Sequence, residues 1–188
     1  MKADDMNDGE NWTGGFYELY LILGPANDDN LDRAVRTLWR AAGVDGCRVA
    51  GVDVSGLVDV AALLEHGHLR GTLTLPSGDR VVCGGYSSRY EDIDSLGLYL
   101  PLGALVRVDR GIGGYPFDEH SGVGSLSWRS PLDRWLADVA AVVHGGVPLQ
   151  RALIGFEVDE DADITADRRY AAVLVPSPEG LDYRPATA

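Results

Sequence analysis

The sequence predicts an α+β domain, with a mixed, mainly antiparallel sheet and two principal helices. Three observations favour this class: an apolar strand-like run at residues 16–23, two amphipathic helical patterns beginning near residues 28 and 130, and a hairpin pattern over residues 68–86. A chain of 188 residues buries roughly 70% of its unfolded surface, which is enough for one sizeable core.

The run at residues 16–23 (FYELYLIL) is apolar at both odd and even positions. Because alternate side chains of a strand point to opposite faces, this pattern predicts a central strand that is covered on both sides. Glu18 is the only charge in the run. A buried carboxylate without a partner would cost several kcal/mol or take up a proton, so we expect Glu18 to have a partner, a rim position or a functional use.

Both helices are predicted from one apolar stripe each. In the first, polar residues 26–30 supply the N-cap, Gly43 ends the helix, and the stripe is Leu31, Val35, Leu38, Trp39 and Ala42. In the second, Ser130 is the expected N-cap, with Pro131 at the first helical position and Asp133 reaching back as in a capping box. Its stripe is Leu132, Trp135, Leu136, Val139 and Val143.

The other segments complete the sheet. We expect a strand at 47–54, a short helix or turn at 57–65, a hairpin of 68–75 and 79–86, a strand, bend and second strand over 96–108, and strands at 151–158 and 170–175. The glycine-rich stretch 110–127 is irregular, and a loop of that length is either functional or flexible.

The expected organisation is a disordered acidic lead at residues 1–13, a single domain at 14–176 and a loose tail at 177–188. A weak repeat, LYLILGP at 19–25 and LYLPLGA at 98–104, suggests two related strand–helix–strand halves, 14–95 and 96–176.

The net charge of the chain limits the classes of partner that we expect. With 29 acidic and 16 basic side chains, the formal net charge is −13, which argues against nucleic acid and anionic membranes and favours a basic protein partner. No leader-like start and no apolar run of 18 residues is present, so a cytoplasmic location is expected. Cys47 and Cys83 are expected to be buried free thiols, a disulfide being the alternative.

Few residues are candidates for catalysis or metal binding. Glu18 and Glu157 are each the lone charge of an apolar strand, and a shared cleft would separate their pKa values into an acid and a base; rim positions, or pairing with Arg129 or Arg151, are the alternative. His66, His68 and His120 form a weak metal set without a recognised spacing. No nucleophile elbow or phosphate loop is present, so we expect no cofactor and no resident metal.

Aromatic residues near loops and strand ends are candidate binding anchors. The set is Trp12, Tyr17, Tyr86, Tyr90, Tyr115, Phe117 and Trp128, of which Trp12, Tyr17, Tyr115, Phe117 and Trp128 are the favoured anchors. Rim packing under long loops is the alternative.

Residues 12–19 (WTGGFYEL), 100–105 (LPLGAL) and 154–158 (IGFEV) are similar to an uncharacterised bacterial protein family of unknown function. The resemblance spans most of the chain and implies a single folded unit. It adds no site residues.

The favoured hypothesis is a non-catalytic acidic binding protein that engages a basic protein, as immunity and inhibitor proteins do. The alternative is an enzyme or small-ligand binder with a cleft between the two halves, lined by Glu18, Glu157 and the 110–127 loop.

Overall fold

The computed structural model describes residues 2–49, 52–53, 60–113, 122–158 and 170–187. Its strands are β1 (Phe16–Pro25), β2 (Asp45–Val49), β3 (Val52–Asp53), β4 (His68–Thr74), β5 (Arg80–Tyr90), β6 (Ile93–Pro101), β7 (Arg151–Phe156), β8 (Ala172–Ser177) and β9 (Gly180–Arg184). Its α-helices are α1 (Asp28–Ala41), α2 (Val60–His66), α3 (Leu102–Val108) and α4 (Leu126–Gly146). The predicted α+β class is confirmed.

The described strands form one sheet in the order β3-β2-β4-β5-β6-β1-β7-β8-β9, and every described pair is antiparallel. β1 lies between β6 and β7, with Leu19 opposite both Leu98 and Ile154. The central position that the apolar run predicted for this strand is therefore confirmed.

The two faces of β1 belong to different clusters. Tyr17, Leu19 and Leu21 are fully buried in the main core, which also contains the apolar stripes of α1 and α4. On the opposite face, Tyr20 and Ile22 join a smaller cluster with Leu153 and Val173. The main core thus lies between the sheet and the helices, and Glu18 points to the other face.

The first helix begins as predicted, because the side chain of Asn27 caps it by accepting a hydrogen bond from the Asn30 N–H at 2.9 Å. The second differs. α4 begins at Leu126 and contains Pro131. The capping signal at Ser130 misled because Asp133 is buried in the core, where it accepts a hydrogen bond from Tyr17.

Residues 102–108 form a helix instead of the expected second strand. Pro101 occupies its N-cap position in an extended conformation, and the N–H groups of Leu102 and Gly103 donate to the carbonyls of Gly15 and Thr13. A Cβ at Gly103 would lie 2.2 Å from the Glu10 carbonyl oxygen, so the glycine permits close packing that the local pattern did not reveal.

Both ends of the described chain are more ordered than expected. Ala3 and Asn11 are buried, the Val82 N–H donates to the Ala3 carbonyl, and Arg107 bonds Asp8 at 2.7 Å. These polar contacts attach the acidic lead, which has few apolar side chains. At the other end, β9 pairs with β8, so residues 180–184 are a strand and not part of a loose tail.

The two copies of the repeated motif lie side by side, since β1 and β6 are antiparallel neighbours. Cys47 and Cys83 are buried thiols, as expected. Within the described ranges, no helix has both the length and the apolar character needed to span a membrane.

Candidate functional site

Glu18 is held on the sheet face opposite the helices. It is 2% exposed, and the Tyr86 hydroxyl donates to its Oε2 at 2.6 Å. Burial raises the pKa of Glu18 to about 7, and the nearby charge of Glu157 acts in the same direction, whereas hydrogen bonds from Tyr86 and the Val158 N–H oppose the shift. The lone charge of β1 is therefore a carboxyl group that titrates near neutrality.

Glu157 follows β7 directly and is exposed. Its backbone has a left-handed φ of 39°, and its N–H donates to the Phe16 carbonyl at 3.1 Å. The structure brings Glu157 close enough to Glu18 for one charge to affect the other. Arg129, an alternative partner, instead bonds Tyr17 and Ser125 on the opposite side of the sheet.

Rings surround Glu18 on this face. Tyr86 and Tyr99 have centroids 6.2 Å apart, and His68 lies 6.0 Å from the first and 5.9 Å from the second. The rings lie across neighbouring strands because Gly84 and Gly97 have no side chain: an added Cβ would lie 2.2 Å from Tyr99 and 2.3 Å from Tyr86. We call Glu18, His68, Tyr86 and Tyr99 the aromatic face.

Sequence reasoning included Tyr86 among the aromatic candidates but did not select Tyr99, and it did not pair either ring with a glycine. The signal was present, since glycine precedes tyrosine by two positions at both 84–86 and 97–99. In antiparallel neighbours, that spacing places a ring beside a glycine on the same face.

Trp12 borders the aromatic face. Its ring lies 6.5 Å from Tyr99, the Arg70 guanidinium sits 4.3 Å from its centroid, and its indole N–H donates to the Met6 carbonyl. Trp12 thus contacts a cation of its own chain, as in a cation–π pair.

Tyr17 belongs to the core. It has no exposed surface, its hydroxyl donates to Asp133, and it accepts a hydrogen bond from Arg129 Nε at 3.2 Å. Burial raises the pKa of Asp133 to about 6. The expectation that Tyr17 is a binding anchor is corrected, because the apolar face of β1 turns it inward beneath α4.

Trp128 is half-buried at the start of α4 and packs edge-on against Tyr17, with centroids 5.4 Å apart. It lines a cavity of about 440 Å³ together with the β4–β5 turn and the end of α3. Of the remaining predicted anchors, Tyr115 and Phe117 lie outside the described residues.

The two described histidines of the predicted metal set, His66 and His68, lie on different elements. His66 ends α2, 3.8 Å from Glu65, whereas His68 lies in β4 among the rings. Partial burial and then the charge of Arg70 hold the pKa of His68 below its usual value. His120 lies outside the described residues, among which no group of three or more potential metal ligands occurs.

Carboxylates gather where β5 turns into β6 beside the start of α1. We call these residues the acidic end: Asp28, Asp29, Glu91, Asp92 and Asp94. The Ala26 N–H donates to the Asp92 carbonyl and the Asn27 N–H to Asp94, which joins the turn to the helix. Arg89 bonds Asp94 at 2.6 Å and Asp28 at 2.7 Å.

Three members of the acidic end, Asp29, Glu91 and Asp92, are exposed and form no ion pair within the described ranges. Glu91 and Asp92 also have left-handed φ values of 46° and 61°. Two-residue turns of this kind favour Asn-Gly, which adopts the conformation at little cost. Two acidic residues therefore occupy positions that strain their backbone.

No family model and no curated protein matches the chain. One similar solved structure is a chain of the toxic C-terminal tip of CdiA from Pseudomonas aeruginosa in complex with an immune protein. The identity is 12%, the TM-score is 0.41, and the match covers 83% of this chain and 92% of the other. At this TM-score the two chains are not shown to share a fold.

Proposed function

We propose that this protein is a non-catalytic acidic binding protein that engages a basic protein partner in a bacterial cytoplasm, in the manner of immunity and inhibitor proteins. The observation that carries the proposal is the acidic end, where three exposed carboxylates form no ion pair with a described residue and two of them, Glu91 and Asp92, sit on a strained turn. Strain of about 1 kcal/mol or more per residue persists at functional sites because another constraint retains it. The net charge of −13 acts in the same direction, since it accelerates encounter with a basic surface.

The ion pairs that arginines form within the chain also support the proposal. Arg36, Arg80, Arg89, Arg107 and Arg184 each bond a carboxylate of their own chain. They neutralise part of the acidic surface, whereas Asp29, Glu91 and Asp92 have no ion pair in the part of the chain that the structure describes. A partner with Lys or Arg at its interface would supply the missing charges.

The test compares three forms of the immobilised protein in capture from a lysate of the native source: wild type, Glu91→Asn/Asp92→Gly, and Asp138→Asn/Glu179→Gln. Both double variants remove two exposed carboxylates, but only the first changes the acidic end. We expect the wild type and the control to retain one basic protein in stoichiometric amount at low salt. The turn variant should bind it about three- to thirtyfold more weakly, the range expected for two exposed charge pairs.

The proposal fails if no stoichiometric partner is retained at low salt. It also fails if the captured protein is held equally by all three forms and is insensitive to 0.5 M salt, because exposed charge pairs are screened at that concentration.

A second candidate function is a small-ligand binder or enzyme that uses Glu18 and Glu157. It is favoured by one observation, the pKa of about 7 for Glu18 beside a second carboxylate, which is the condition for an acid–base pair. A screen of small metabolites by thermal shift, repeated with Glu18→Gln, tests it. A ligand whose stabilisation disappears in that variant would favour this candidate, and the absence of any hit would remove its support.

A further inference from the structure

The cavity beside Trp128 is separate from the acidic end and from the aromatic face. We call it the α4 cleft; its walls are the β4–β5 turn, the residues that follow α3 and the first turns of α4. Its volume of about 440 Å³ falls in the range of small-molecule sites, which are mostly apolar with a few placed polar groups. The apolar lining includes Leu75, Val108, Ile112, Trp128, Pro131 and Leu132.

Two acidic residues also line the cleft. Asp79 comes from the β4–β5 turn and Asp109 directly follows α3, and no lysine or arginine is among the described residues that line the cleft. Ser77 donates to Asp79 Oδ2 at 2.9 Å, and the Gly111 N–H donates to Asp109 Oδ1 at 2.8 Å. The second oxygen of each carboxylate accepts no hydrogen bond from a described residue, and neither carboxylate is in an ion pair with one.

Trp128 supplies an aromatic surface in a fixed position. Tyr17 packs edge-on against it, and Tyr17 is itself held by Asp133 and Arg129. An indole attracts a cation placed over its ring more strongly than the other aromatic side chains do. The cleft therefore combines an apolar body, an anchored indole and two carboxylates.

We propose that the α4 cleft binds a guanidinium group carried on an aliphatic stem. The planar guanidinium stacks on an indole, donates in a fork to carboxylates and is more weakly hydrated than an ammonium group, so it leaves water at a smaller cost. The aliphatic stem matches the apolar lining. The proposal is independent of the proposed function, because the cleft and the acidic end lie at opposite ends of β5, an eleven-residue strand that spans roughly 35 Å.

The probe is n-butylguanidinium, added to the ¹⁵N-labelled protein while the Trp128 indole N–H resonance is followed by NMR. Neutral n-butylurea, which has a similar shape, is the matched ligand. We expect a saturable shift with the guanidinium and none with the urea at the same concentration. Asp79→Asn and Asp109→Asn should each weaken binding about three- to tenfold, and Asp138→Asn, on the exposed side of α4, should leave it unchanged.

The same titration with N-acetyl-Ala-Arg-Ala-amide distinguishes two sources of the cation. Tighter binding of the peptide assigns the cleft to an arginine of a protein, and binding of the free guanidinium alone assigns it to a small molecule. The inference is overturned if n-butylurea shifts the Trp128 resonance as much as the cation does. It is also overturned if the Asp79→Asn/Asp109→Asn variant titrates like the wild type, because the carboxylates would then have no part in binding.

Discussion

Burial keeps Glu18 protonated to a higher pH than an exposed glutamate. Its pKa rises from 4.5 to about 7 in the folded protein, so between these values the folded state binds more protons than the unfolded chain. The contribution of Glu18 to stability is therefore fully present below about pH 4.5 and is lost as the pH rises through 7. A shift of this size corresponds to about 3 kcal/mol at most.

We predict that Glu18→Gln stabilises the protein by about 1–3 kcal/mol at pH 8 and has a smaller effect at pH 5. Glutamine keeps an oxygen that accepts from Tyr86 and carries no charge to bury. Urea unfolding of the variant and the wild type at both pH values measures the difference. The exposed Glu157→Gln is the matched control and should change stability little. Equal effects of Glu18→Gln at pH 5 and pH 8 would contradict the assignment of the titration to Glu18.

Tyr17 is the second residue whose role is defined by burial. We predict that Tyr17→Phe costs about 1–3 kcal/mol of unfolding free energy, because Asp133 and Arg129 lose a buried hydrogen-bonding partner. Tyr90→Phe, at a side chain that is 62% exposed, should cost less than about 0.5 kcal/mol. Denaturant titration compares the two variants. If both lose the same stability, the buried network contributes nothing.

At the scale of elements, local pattern was sufficient where a segment's own side chains determine its burial. The strand at 16–23 and the first helix were predicted because alternation and a 3.6-residue stripe act within the segment. The helix at 102–108 was not, since its position depends on backbone bonds to residues 13 and 15. The start of α4 was misplaced for the same reason: Asp133 has a partner 116 residues away.

The candidate sites show the same division. The sequence showed that Glu18 is the lone charge of an apolar strand. Its hydrogen bond to Tyr86, however, depends on the register of three strands. The acidic end is assembled from two segments about sixty residues apart, and the α4 cleft from three. No local pattern encodes such distant neighbours.

Gly84 in β5 and Gly97 in β6 leave the space that the tyrosine rings of the aromatic face occupy. We predict that Gly97→Ala costs about 1–3 kcal/mol, since its Cβ would lie 2.3 Å from the Tyr86 ring. Displacement of Tyr86 would also weaken its hydrogen bond to Glu18. Thermal unfolding measures the cost, with Gly145→Ala as control: that Cβ meets nothing within 4 Å, and alanine favours a helix. A neutral Gly97→Ala would show that the rings do not depend on this glycine.

At the scale of the whole molecule, like charges repel across a surface with a net charge of −13, and the acidic end adds backbone strain to that repulsion. We predict that Glu91→Asn/Asp92→Gly stabilises the folded protein by about 1–2 kcal/mol, because Asn-Gly suits the left-handed turn. The Ala26 N–H bond to the residue 92 carbonyl is retained, since it involves only backbone. Urea unfolding at 0.05 M and 0.5 M salt measures the gain.

Asp138→Asn/Glu179→Gln separates the two causes of that gain. It removes the same number of charges at residues without a left-handed φ, so its stabilisation should be small and should vanish at 0.5 M salt, where exposed charges are screened. The gain of the turn variant should persist at high salt, because strain is not screened. A turn variant that gains stability while losing the captured partner would mean that the acidic end trades stability for binding. A turn variant that gains nothing in 0.5 M salt would mean that the turn holds no strain, and the main support for binding at the acidic end would be removed.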